Sequence, residues 1–86
     1  MIISLIDLFM DTHHIHGTSV GFHGETEDAL KFLNHPENRH AAQNYLNEAK
    51  KHGEAHFYAE GKKFTVTHQG SEDGKDAFSV NKNHHH

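Results

Sequence analysis

Eighty-six residues, no cysteine and a formal charge of −4 with neutral histidines imply one domain without disulfides, thiolate metal ligands or a cysteine nucleophile. The acidic and basic residues are spread evenly along the chain. That argues against a nucleic-acid partner, whose binding rests on a basic stripe that neutralises phosphates. A reducing, cytoplasmic setting is the expectation for a small domain without disulfides.

Histidine is the outlier, at twelve residues. Three of them, His84, His85 and His86, form a terminal tail that reads as tag-derived, leaving residues 1–83 as a single α+β domain. Histidine titrates near pH 6.5, so the net charge should change sign in mildly acidic solution. The large apolar side chains number 22, eight of them within residues 1–10. Without those ten residues the core is thin, so the segment is expected to belong to the fold or to an oligomer interface.

In residues 1–10 the leader-like features stop at hydrophobicity. There is no basic start and no small-residue cleavage site, and ten residues are too few to cross a bilayer. Ser4, Asp7 and Asp11 fall on one narrow stripe at helical spacing, which predicts a helix over 2–11, apolar on most of its circumference. Residues 12–24, rich in histidine and glycine, read as a loop with a short extended piece around Ser19–Phe22.

Glu25, Glu27 and Asp28 favour the positive end of a helix that starts there. Ala29, Leu30 and Leu33 give it an apolar face, and Pro36 stops it, so a helix is predicted over 25–34. A further helix over 36–52 follows from Pro36 in its first turn, from Ala41, Ala42, Tyr45, Leu46 and Ala49 at helical spacing, and from Gly53 at its end. Its opposite face, with Arg39, Gln43, Asn47 and Lys50, should be solvated.

The last third alternates as strands do. Strands over 54–60, 63–68 and 76–81 would form a three-stranded antiparallel meander with Phe57, Phe64, Val66, Phe78 and Val80 facing inward. The expected architecture is three helices packed on one face of that meander. His56 and His68 would then be the histidines best placed for burial.

Few patterns carry chemistry. Gly17-Thr18-Ser19-Val20-Gly21 matches the nucleophile-elbow pattern, but that elbow needs a strand entering, a helix leaving and a large α/β sheet. The match is read as chance. Gly21-Phe22-His23-Gly24 ahead of a helix could present backbone N–H groups to an anion, yet the acidic first turn would repel it. Glu72 and Asp73 read as solvated loop carboxylates.

His14, His16 and His23 are the one set with plausible ligand chemistry, and they would take zinc or nickel. No Cys-x-x-Cys or His-Glu-x-x-His spacing accompanies them, and no cofactor is otherwise expected. The order helix–helix–helix–hairpin resembles a winged helix-turn-helix, with 36–52 as the recognition helix.

These features favour a small non-catalytic protein-binding module without a membrane role, self-associating as a homodimer through its apolar N-terminal helix. The edge of the sheet is a second surface that must be protected or used. A histidine-dependent metal-binding or pH-responsive protein is the alternative, and a small winged-helix-like DNA-binding regulator comes after it.

Overall fold

Asp11, His13 and Ile15 alternate with Thr12 and His14, and the same alternation resumes after His16-Gly17 in Ser19, Val20 and Phe22. In the computed structural model, which describes residues 10–72 and 74–83, this becomes a β-hairpin. Strand β1 spans Met10–Ile15 and strand β2 spans Thr18–His23. They pair antiparallel from Met10↔His23 to Ile15↔Thr18. His16 (φ 50) and Gly17 (φ 89) both lie in the left-handed region. A two-residue turn with both φ positive is type I′, whose twist matches that of the flanking strands.

This corrects two expectations. Residues 10 and 11 are strand and not the end of a helix; the rest of the expected 2–11 helix lies outside the described residues. Residues 12–24 are mostly sheet and not loop. Asp11 fits the helical stripe of Ser4 and Asp7 because it is polar, yet it occupies a strand position on the same side as Ile15, where an apolar residue would ordinarily stand.

Helix α1 spans Glu27–Asn34 and buries Ala29 and Leu33. It ends where His35 turns extended (ψ 131), as the residue before a proline does. Pro36–Asn38 make one 3-10 turn, in which the Glu37 N–H donates to His35 Nδ1 at 3.2 Å and Asn38 Nδ2 donates to the Phe32 carbonyl at 3.0 Å. Helix α2, Arg39–His52, buries Ala42, Leu46 and Ala49 and ends with Lys50, Lys51 and His52 in its last turn. The Gly53 N–H then closes on the Ala49 carbonyl at 2.7 Å, and its φ of 95 is one that glycine adopts without steric cost.

Strands β3 (Glu54–Ala59), β4 (Lys62–Glu72) and β5 (Lys75–Lys82) follow. β3 pairs antiparallel with β4, and β4 with β5 around an irregularity between His68 and Gly70. β5 also pairs with β2, and that pairing is parallel: Ser19↔Ala77, Val20↔Phe78, Gly21↔Ser79, Phe22↔Val80. One five-stranded sheet results, in the order β1-β2-β5-β4-β3. The expected fold class is thus overturned. The chain is α+β, but with two α-helices and a five-stranded mixed sheet in place of three helices on a three-stranded meander.

The helices lie on one face, chiefly over β3 and β4. Between the layers are Ile15, Val20, Phe22, Leu33, Leu46, Phe57, Phe64, Val66, Phe78 and Val80, all buried. Phe57 is at the centre of an aromatic stack, with ring centroids 5.9 Å from Phe32, 5.2 Å from Tyr45 and 5.6 Å from Phe64. Phe32 and Tyr45 come from the two helices, so this stack joins both to the sheet. Phe57→Ala should cost about 3–5 kcal/mol, the range for truncating a fully buried phenylalanine. Urea unfolding followed by circular dichroism measures it, and a loss below about 1 kcal/mol would show that the stack does not hold the layers together.

Candidate functional site

The hairpin turn determines what β1 presents to its surroundings. In an antiparallel pair, facing residues alternate between exchanging both backbone hydrogen bonds and exchanging none. The pair flanking a two-residue turn is a bonded one, so Ile15, His13 and Asp11 turn their N–H and C=O groups toward β2. Met10, Thr12 and His14 turn theirs the other way. β1 is the first strand of the sheet order, and among the described residues nothing pairs with that outer side. Met10–Ile15 contains no proline and no lysine, the two residues that most often blunt a sheet edge.

The side chains of β1 divide between two environments. Thr12 and His14 face away from the helices and are exposed; Asp11, His13 and Ile15 face the helix layer. The His13 ring stands edge-on to Phe22, with centroids 5.7 Å apart. Asp11 and His13 line a cleft of about 210 Å³ together with Phe22, Gly24, Thr26, Glu27 and Leu30. The cleft opens between the hairpin and the start of α1, so one side of the free edge carries two carboxylates, an imidazole and apolar floor.

The three histidines expected as metal ligands are separated by this geometry. His14 faces Ser19 near the turn, whereas His23 faces Met10 at the other end of the hairpin. The two ends are four residue steps of strand apart, about 13 Å. His16 is in the turn itself, where its Nε2 donates to the Leu33 carbonyl at 2.9 Å and so ties the hairpin to the end of α1. Among the described residues no three His, Asp or Glu side chains are grouped to hold a metal ion. Ser19 of the elbow-like motif lies within β2, without the strand–turn–helix geometry such a nucleophile needs.

The polar side chains that do converge join elements. Asp76, at the start of β5, accepts from the Ser71 hydroxyl at 2.6 Å and from His68 Nε2 at 3.1 Å. Its other oxygen is 2.9 Å from Lys50 Nζ. Lys50 is exposed, as its place on the solvated face of the helix predicts, and also links α2 to the sheet. His68 is packed against Phe78 at 5.1 Å between ring centroids and is largely covered. His56, expected to be buried, is exposed on the open face, where it hydrogen-bonds Thr65 Oγ1 at 2.8 Å. Lys62 donates to Asp28 at 2.6 Å, tying the β3–β4 turn to α1. That contact holds the Asp28 carboxyl below its ordinary range and the Lys62 ammonium above its own.

No known protein family, curated protein or solved structure matches this chain.

The Ser71 hydroxyl, the Lys50 ammonium and the His68 ring hold the Asp76 carboxyl well below the usual carboxylate range. A carboxyl depressed in the folded state contributes stability that is complete above its unfolded pKa, about 3.9, and is lost as pH falls toward the folded value. Asp76→Asn should therefore lower the melting temperature at pH 7, and its deficit against wild type should shrink once pH falls below about 4. Thermal melts across that range check this; a deficit independent of pH would show that ionisation of Asp76 contributes nothing.

Proposed function

We propose that this chain is a small, non-catalytic protein-binding module that takes its partner by adding a strand of that partner to its sheet at β1. Strand addition draws affinity from main-chain hydrogen bonds and specificity from alternate side chains. The outward row of Met10, Thr12 and His14 is the observation that carries this reading. It supplies donors and acceptors at the spacing an extended segment needs, beside a cleft lined by Asp11, His13 and Leu30. The polar clusters of the fold support a non-catalytic role, because Asp76, Lys62 and His16 each bind across elements and are used in holding the layers together.

The other edge, β3, is less suited. Both helices are packed over it, and the open face there presents Glu54, His56 and an exposed Tyr58. The hairpin reaches α1 through the His16–Leu33 bond and the cleft, and among the described residues nothing covers the outer side of β1.

A random-peptide library displayed on phage and selected on the immobilised protein tests the reading. Selected peptides should be extended, β-prone segments. A synthetic copy should shift the backbone amide resonances of Met10, Thr12 and His14 more than those of Glu54–Ala59. Selection of helical peptides, or shifts confined to the helices, would contradict strand addition at β1.

A further inference from the structure

We infer that the strand added at β1 is the β1 of a second copy of this chain, antiparallel across a twofold axis at Thr12. This rests on the strand-addition reading and specifies its partner and register.

The register follows from the hairpin. Only Met10, Thr12 and His14 have backbone groups directed outward, so in an antiparallel pair each of them must face another of the three. Three twofold registers use at least two of the three outward residues of each chain. With the axis at Asp11, the two Asp11 carboxylates face each other, and like charges directly opposite are destabilising. With the axis at His13, the two His13 rings face each other and Met10 has no bonded counterpart. With the axis at Thr12, all three outward residues are used: Thr12 faces Thr12, and Met10 and His14 face each other twice.

That third register also matches the side chains. Asp11 of each chain faces the partner's His13 on the helix side, at positions without backbone hydrogen bonds, where paired side chains approach most closely. The partner's imidazole then meets the cleft that Asp11 and Glu27 line, so a hydrogen-bonding ring faces two carboxylates on each side of the axis. The strand is self-complementary, a carboxylate acceptor facing an imidazole donor on both sides of the axis, as an isologous interface requires.

The test combines charge exchange with cysteine pairing, for which the absence of native cysteine is convenient. By analytical ultracentrifugation the wild-type chain should be dimeric. D11K and H13E should each weaken the dimer about tenfold, since D11K removes the carboxylate that faces each partner imidazole and H13E puts two carboxylates directly opposite each other on each side of the axis. The double variant D11K/H13E, which exchanges the charges, should recover most of that loss. Under mild oxidation Thr12→Cys should cross-link two copies quickly, because facing Cα atoms are within disulfide reach at the axis. His14→Cys should cross-link slowly, because each His14 faces Met10 and the two His14 are on opposite sides of the axis.

A monomeric wild type, or a double variant no better than the single ones, overturns the inference. So does cross-linking of His14→Cys as fast as Thr12→Cys, and this comparison decides the matter if a charge variant fails to fold. A monomeric chain that still binds selected peptides through β1 removes the second copy and leaves strand addition standing. A monomer that binds none removes both.

Discussion

The parallel pairing of β2 with β5 is the constraint on which the rest of this fold depends. It joins a hairpin at one end of the sequence to a meander at the other, across both helices, and makes β5 the centre of the sheet. The register puts Val20 beside Phe78 and Phe22 beside Val80 on the helix side, where all four are buried. A slip of one residue would turn Ser19 and Gly21 to the core and expose Val20 and Phe22. Because β2 is satisfied on both sides, β1 is left at the edge, and among the described residues nothing pairs with its outward groups. The proposed binding surface is therefore a consequence of the long-range pairing and not a separate feature of the hairpin.

The two layers are held together by different means at their two ends. Over β3 and β4 the aromatic stack of Phe32, Tyr45, Phe57 and Phe64 supplies dense apolar burial. Nearer the hairpin the links are polar and specific: His16 to the end of α1, and Lys50 to Asp76. Such contacts position elements more than they stabilise them, because hydrogen bonds exchange with water at small net gain. The cleft beside β1 lies where apolar coverage thins, which is why Asp11 and His13 can face the helix side without being sealed in.

Much of the local structure was legible in the sequence. Ala42, Leu46 and Ala49, with Pro36 and Gly53 as punctuation, mark the second helix, and Phe57, Phe64, Val66, Phe78 and Val80 alternate plainly. The hairpin was hidden because its core-side positions include Asp11 and His13, so an apolar pattern is visible only from Ile15 onward. Its remaining signal was His16-Gly17 between two six-residue runs, a pair suited to positive φ. The parallel pairing was not legible, because nothing local in Thr18–His23 specifies a partner some sixty residues away. Histidine frequency pointed to a metal site, but strand geometry separates His14 from His23, and the turn occupies His16 in a structural bond. Asp76 drew no attention since its partners are spread from Lys50 to Ser71.

Amide hydrogen exchange along β1, in dilute solution where self-association is negligible, tests most directly that this strand is the free edge of a five-stranded sheet. Asp11, His13 and Ile15, bonded to β2, should exchange slowly, while Thr12 and His14 exchange fast, and β5 should be protected on consecutive residues from Phe78 to Val80 by its two neighbours. Uniform exchange through residues 10–15, or a β5 protected only on alternate residues, would mean that the hairpin does not join the sheet.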